Sequence, residues 1–199
     1  MKTVRLGKTD LEVSRVGIGG IPIQRPTEDE AIKVIQRALD LGVTLIDTSL
    51  AYGPSEERIG EAIAGRRDQV IFITKTWALD KATALGHLEL SLKNFGTDYI
   101  DLWQFHNVSN LEEYKQVLGP DGAMEAAQEA LQAGKIRHIG FSSHSLDVAL
   151  KGVTSGHFEV VLFPFNFVTS EAADELVTLA REHDVGFTAM KPFAGGMLG

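Results

Sequence analysis

The sequence predicts an α/β fold, a (β/α)8 TIM barrel that is incomplete in this chain, with seven strands and an N-terminal hairpin. First, apolar runs rich in β-branched residues alternate with stretches of helical periodicity, which is typical of βα units and a parallel sheet. Second, these runs are apolar on both faces, so other layers must cover both sides of the sheet. A doubly wound sheet would also fit, but the regular repeat of roughly 30 residues favours the barrel.

The elements can be assigned in chain order. Residues 4–13 predict a β-hairpin with its turn at Gly7–Asp10. Thr27 and Glu30 predict a capping box for the first helix, and Ser55, followed by two acids, predicts the cap of the second. The seven predicted strands are Arg15–Gly20, Val43–Thr48, Val70–Thr76, Tyr99–His106, Ile136–Ser143, Val160–Phe167 and Gly186–Phe193.

The length of the chain bears on how much of the barrel it forms. A complete barrel usually needs about 250 residues, whereas this sequence has 199 and ends soon after the seventh predicted strand. Since no linker or low-complexity tract divides it, we expect residues 1–199 to form a single barrel domain that lacks its C-terminal unit. We also expect it to be part of a longer protein, because an open barrel leaves unpaired strand edges.

The composition narrows the classes of partner. The net charge of −8 and the scattered lysines and arginines argue against nucleic acid or an anionic membrane, and favour a small-molecule ligand. With no cysteine, the sequence excludes a disulfide framework, a thiolate nucleophile and a cysteine-ligated metal. No apolar run is long enough to span a bilayer. We therefore expect a cytoplasmic protein, and leave its oligomeric state open, with a homo-oligomer among the alternatives.

Polar side chains stand where predicted strands end. Asp47, Lys75 and His106 each end a strand, and Tyr52 lies in the loop that follows Asp47. In a parallel barrel these strand ends meet on one rim, which is where the chemistry of such barrels takes place. The four positions lack the spacing of a metal site, so we predict no metal there.

Together, these four residues suit proton transfer to a carbonyl. A phenol, with an ordinary pKa near 10, becomes a better acid when a cation within about 4–6 Å favours its anion, a role that Lys75 could fill. Asp47 would provide the counter-ion that a buried lysine needs, and His106 could hydrogen-bond a substrate oxygen. Taken singly, each of the four residues could instead be structural. Asp47 could cap a loop and Lys75 could be a surface lysine. Tyr52 could be half-buried packing and His106 a hydrogen-bonded imidazole of the core.

Five segments of the sequence can be compared with those of a known family. In chain order they are LGKTDLEVSRVGIGG, DTSLAYGPSEERIGEAI, SLKNFGTDYIDLWQFHNV, GKIRHIGFSSH and AMKPFAGG. Together they resemble the aldo/keto reductase family over nearly the whole chain, and YIDLWQFH and MKPFAGG are most similar to a bacterial branch that often carries an appended iron–sulfur module. The resemblance implies an NADP(H)-dependent barrel whose Asp, Tyr, Lys and His tetrad corresponds to Asp47, Tyr52, Lys75 and His106.

The resemblance also implies cofactor contacts on the rim. Ser142 matches the family serine that holds the nicotinamide carboxamide, while Ser143 replaces the asparagine that usually follows it. Leu162 stands where many members have a glutamine, and Met190 where many have a ring that stacks on the nicotinamide. The positions expected near the pyrophosphate are Asn166, Lys191, Pro192 and Gly195. Most contacts to adenine and to the 2′-phosphate belong to the family's eighth unit, so the preference for NADP rests on resemblance.

The function expected from the sequence is the reduction of an aldehyde or ketone by NADP(H), with Tyr52 as the proton donor. Two alternatives remain open. One is a non-catalytic barrel that senses cofactor or docks a partner, and the other is a fragment that binds no cofactor.

Overall fold

The computed structural model describes residues 1–170 and 173–197, and it contains the predicted parallel sheet. Seven strands follow one another in chain order across this sheet, and every neighbouring pair is parallel. They are β3 (Ile18–Gly19), β4 (Leu45–Asp47), β5 (Ile71–Thr76), β6 (Ile100–Phe105), β7 (Ile136–Ser142), β8 (Val160–Pro164) and β9 (Gly186–Met190). The predicted α/β fold, a TIM barrel lacking its last unit, is therefore confirmed.

Helices separate the strands. They are α1 (Glu28–Asp40), α2 (Ser55–Ala62), α3 (Lys81–Phe95), α4 (Leu111–Leu118), α5 (Ala123–Gln132), α6 (Leu146–Thr154) and α7 (Ala173–Glu182). The predicted capping box is present at α1, where Thr27 and Glu30 exchange hydrogen bonds. At α2 the prediction is wrong: Pro54 is the N-cap, and the Ser55 hydroxyl donates to the Gly20 carbonyl oxygen at 3.1 Å. The serine thus joins α2 to the strand region instead of capping the helix.

The sheet has an apolar layer on each side. Inside the curved sheet, a small cluster contains Leu45, Ile73, Leu102 and Val160. Alternate residues of the same strands point outward to the helices and form a much larger cluster, which includes Phe72, Trp103, Phe105 and Phe141. Burial of both faces explains why the strands are apolar almost throughout their length.

The N-terminal hairpin closes one end of this structure. It consists of β1 (Thr3–Arg5) and β2 (Glu12–Ser14), which pair antiparallel as predicted. Gly7 in its turn has a φ of +54°, and a Cβ there would lie 2.2 Å from the Gly186 backbone nitrogen, so only glycine fits. The Arg5 guanidinium binds both carboxylate oxygens of Asp184, at 2.8 and 2.6 Å. The hairpin is therefore fixed against the start of β9.

In the described ranges, 1–170 and 173–197, none of the helices combines the length and apolar character that crossing a membrane requires.

Candidate active site

The four residues singled out in the sequence come together at one rim of the sheet. Asp47 is the last residue of β4, Lys75 lies near the end of β5, and His106 directly follows β6. Tyr52 is in the loop between β4 and α2, five residues after Asp47. Three successive βα units thus contribute to a single site.

Lys75 and Asp47 form a buried ion pair. The ammonium Nζ lies 2.7 Å from Asp47 Oδ1 and also donates to the Thr48 carbonyl oxygen at 2.5 Å. The lysine side chain has no exposed surface, whereas that of Asp47 is 26% exposed. Burial raises the pKa of the Asp47 carboxyl, and the charge and hydrogen bond of Lys75 oppose that rise. Asp47 compensates the lysine charge and fixes the direction of the ammonium group.

The Tyr52 side chain is half-buried between this ion pair and His106. Its hydroxyl oxygen lies 3.3 Å from His106 Nε2, and Lys75 Nζ lies 5.6 Å from the centre of its ring. Burial, and to a smaller extent the negative charge of Asp47, raise the pKa of the phenol to about 12. We had expected Lys75 to favour the phenolate. The structure differs because the ammonium is directed to Asp47 and Thr48, so desolvation prevails and the phenol keeps its proton.

His106 is held as a neutral imidazole. Burial, together with repulsion from Lys75 and from His144 when that ring is protonated, lowers its pKa to about 4. Its ring lies edge-on to that of Tyr52, with centroids 5.6 Å apart and an interplanar angle of 83°. At neutral pH, one ring nitrogen of His106 carries a hydrogen and the other a lone pair.

Ser49 is a member of this cluster that the sequence reasoning missed. Its buried hydroxyl lies 3.0 Å from His106 Nδ1 and 3.4 Å from the Lys75 carbonyl oxygen, and its oxygen accepts the Ala51 N–H at 3.2 Å. In the sequence, the indication of this role is that Ser49 lies two residues after Asp47, on the same βα loop as Tyr52. A serine in such a loop is usually interpreted as turn chemistry, which is why it attracted no attention.

Glu56 is the second residue whose role the sequence pattern did not indicate. It reads as an ordinary acid in the first turn of a helix, yet its side chain is almost completely buried. Its carboxylate accepts hydrogen bonds from Thr74 at 2.5 Å, Ser91 at 2.8 Å and Asn94 at 2.9 Å. Burial raises its pKa, and the three hydrogen bonds oppose that rise. Glu56 thus connects the helix after Tyr52 to the strand residue before Lys75.

The two predicted cofactor serines lie at the end of β7. The Ser142 oxygen accepts the Asn107 N–H at 2.8 Å, which leaves its own hydroxyl hydrogen available to a ligand. Ser143 is fully buried, and its hydroxyl donates to the Ser145 carbonyl oxygen at 3.1 Å while accepting the Ser145 N–H. In the described part of the chain no acceptor takes the Ser142 hydroxyl hydrogen, whereas the Ser143 side chain stabilises a turn.

The remaining predicted cofactor positions lie at the ends of β8 and β9. Asn166 donates one amide hydrogen to the Lys191 carbonyl oxygen at 3.1 Å, and its amide oxygen accepts the N–H groups of Val168 and Thr169, which joins the segments after β8 and β9. Met190 is half-buried at the end of β9. The exposed positions are Lys191, Pro192 and Gly195. They place a cation and a glycine-containing turn on the rim, close to Ser142 in the strand order.

A cleft opens beside His106 on the same rim. It has a volume of about 340 Å³ and is lined by Trp77, Leu79, His106, Asn107, Val108 and Glu113. A second cavity, of about 380 Å³, lies on the outer surface between the ends of α2 and α3 and contains none of the predicted site residues. Of the four clustered residues, His106 lines the first cleft.

Within residues 1–170 and 173–197, no three His, Asp or Glu side chains are grouped in a way that could hold a metal ion.

This chain belongs to the aldo/keto reductase family. The family's model matches residues 15–199, which includes the whole sheet and all four clustered side chains. The resemblance inferred from sequence segments is thereby confirmed.

Two curated relatives come from Bacillus subtilis strain 168. The chain is 35% identical to the aldo-keto reductase YhdN over 205 residues, covering 93% of this chain and 60% of YhdN. It is 30% identical over 212 residues to the uncharacterized oxidoreductase YqkF, covering all of this chain and 67% of that protein. This chain thus spans about two thirds or less of these relatives' lengths.

Solved structures of aldo-keto reductases also match this chain. The holo form of the aldo-keto reductase AKR11C1 from Bacillus halodurans superposes with a TM-score of 0.87 at 28% identity, covering all of this chain and 69% of that one. An aldo-keto reductase from Klebsiella pneumoniae in complex with NADPH gives a TM-score of 0.83 at 25% identity, covering 99% of this chain and 70% of that one.

Proposed function

We propose that this barrel reduces aldehydes or ketones with hydride from NADPH, and that Tyr52 donates the proton. The observation that carries the proposal is the convergence of the Tyr52 hydroxyl, neutral His106 and the Lys75–Asp47 ion pair at one rim. Membership of the aldo/keto reductase family and the NADPH complex of the Klebsiella pneumoniae relative support it.

The rim has groups that fit a nicotinamide dinucleotide. The spare hydroxyl hydrogen of Ser142 suits a carboxamide oxygen, the exposed ammonium of Lys191 suits a phosphate, and the side chain of Met190 is an apolar surface for a ring. Pro192 and Gly195 would shape the loop beside the pyrophosphate. Ser143 and Asn166 would act indirectly, because their side chains hold these segments in place. NADPH, when bound, supplies the hydride.

The chain's own residues would manage the proton. The raised pKa of Tyr52 keeps the phenol protonated at neutral pH, as a proton donor must be. A carbonyl oxygen placed near both the Tyr52 hydroxyl and His106 Nε2 could accept a hydrogen bond from each. As the carbonyl carbon is reduced, the phenol proton passes to that oxygen. The resulting phenolate then regains its proton from water.

Titration of the chain with NADPH, followed by cofactor fluorescence, tests this proposal when combined with an aldehyde turnover assay. We expect binding of NADPH together with turnover. Binding without turnover would favour a cofactor-sensing barrel instead, and absence of binding would contradict the proposal. Intact mass of the titrated sample ensures that the result refers to the chain of 199 residues.

We further propose that residues 1–199 form one domain. The location in the cytoplasm and the oligomeric state stay predictions.

A further inference from the structure

We propose that Glu113 selects uncharged carbonyl substrates and rejects those that carry a carboxylate. This inference rests on the proposed function, since it concerns the end of the substrate that lies away from the reacting carbonyl. It concerns the cleft beside His106, whose lining residues were given above.

The cleft has an apolar wall that is held in place. The ring of Trp77 is 50% exposed and packs against His87 at 4.3 Å between centroids with the rings tilted by 48°, and His87 is hydrogen-bonded to Thr76 at 2.8 Å. Leu79 and Val108 extend this apolar surface. Such a wall suits an aryl or aliphatic body next to the carbonyl that reaches His106.

Glu113 provides the formal charge among the residues that line this cleft. His106 is neutral, and Lys75, the nearest cation of the site, is buried against Asp47. One carboxylate oxygen of Glu113 accepts the Ser109 N–H at 3.1 Å, which ties the side chain back across the start of α4. Among the described residues the other oxygen accepts no hydrogen bond, and Glu113 has no ion-pair partner. In the part of the chain that the structure describes, the cleft therefore carries a negative charge that no side-chain cation neutralises, although the N-terminus of α4 favours it.

The chemical consequence is selection by charge. A substrate carboxylate in this cleft would be repelled by the Glu113 carboxylate, and because the cleft opens to solvent this repulsion should be strongest at low salt. A neutral amide or hydroxyl of the same size would avoid this repulsion and could donate to the unpaired oxygen. At low salt, we expect the neutral substrate to bind about tenfold more tightly than the anionic substrate of the same size.

Two aldehydes of equal shape test the inference, 4-formylbenzamide, which is neutral, and 4-carboxybenzaldehyde, which is an anion at pH 7. The chain has two tryptophans, and Trp103 is buried, so the indole N–H signal of Trp77 in a nitrogen-15 NMR spectrum reports entry into the cleft. We expect the wild type to bind the amide about tenfold more tightly. Glu113→Gln, which keeps the acceptor for Ser109, should bring the ratio close to one.

Glu112→Gln is the matched control. It removes the same charge from the neighbouring residue, which is exposed and paired with Lys115, so the preference for the amide should persist. Equal affinities in the wild type, an unchanged ratio in Glu113→Gln, or no binding of either aldehyde would overturn the inference. If binding follows the expected ratios but NADPH reduces neither aldehyde, the proposed function fails while the charge selection stands.

Discussion

His106 lies between the hydroxyl groups of Ser49 and Tyr52, and the shorter of these contacts favours one assignment of the ring hydrogen. The Ser49 oxygen already accepts from Ala51, so its single hydrogen goes either to His106 Nδ1 at 3.0 Å or to the Lys75 carbonyl oxygen at 3.4 Å. The shorter contact favours Nδ1. With Nδ1 as an acceptor, the hydrogen resides on Nε2, which faces Tyr52 and would face a substrate oxygen.

Nitrogen-15 NMR of the His106 ring tests this assignment and its pKa. Because the pKa is lowered to about 4, the ring should stay neutral as the pH falls from 8 to 5, with no transition near 6.5. Nδ1 should give the signal of an unprotonated nitrogen and Nε2 that of an N–H. Ser49→Ala should shift Nδ1 toward an average of both forms, and Ser49→Thr should restore it. A protonated Nδ1 in the wild type, or a midpoint near 6.5, would contradict the assignment.

At the residue scale, the sequence revealed the tetrad but not its protonation. Asp47, Lys75 and His106 were visible because a polar residue at the end of an apolar strand is conspicuous. The pKa of Tyr52 was not, because it depends on how far the ring is buried and on where the ammonium of Lys75 points. Ser49 was hidden for a similar reason, since only the folded loop brings its hydroxyl to His106.

At the element scale, Glu56 is the contact that sets α2 against β5 and α3. Its three donors come from two other elements: Thr74 from β5, and Ser91 and Asn94 from α3. Because α2 begins three residues after Tyr52 and Thr74 precedes Lys75, this buried carboxylate helps to fix the separation of the phenol from the ammonium group.

Replacement of Glu56 tests this role. Glu56→Ala would leave buried donors on three side chains without an acceptor, so we expect a loss of roughly 3 kcal/mol in the free energy of unfolding. Urea denaturation measures it. Glu57→Ala, at the adjacent exposed position, should change stability by about 0.5 kcal/mol or less. A similar small change in both variants would show that Glu56 does not stabilise this junction.

The strands could be predicted from the sequence, whereas the helix in the segment after β6 could not. All seven strands lie within their predicted ranges because apolar runs on both faces have few other interpretations. The stretch between His106 and Met124 has no element assigned from the sequence, yet it contains α4, capped by Asn110. Its eight residues are too few for a clear helical repeat, and the contact of Glu113 with the cleft could not be seen without it.

At the scale of the whole molecule, the curvature of the sheet brings the site together. Asp47 pairs in register with Ile73, and Lys75 with Gln104, so the strand ends of three units lie side by side. Among the described residues, β3 and β9 are the outermost strands and are not paired with each other. The hairpin fixes the start of β9 at the opposite end. The tetrad therefore depends on β4 to β6, in the interior of the sheet.

The central claim is that these three units assemble a site in which Tyr52 donates a proton during NADPH-dependent reduction. Its most direct test is the rate of NADPH oxidation with 4-formylbenzamide, measured at 340 nm for the wild type and for Tyr52→Phe, with the NADPH dissociation constant of both. We predict that the variant loses about 100-fold or more in kcat while its affinity for NADPH stays within about twofold, because the lost hydroxyl acts on the substrate oxygen. Equal rates in the two proteins would contradict the account.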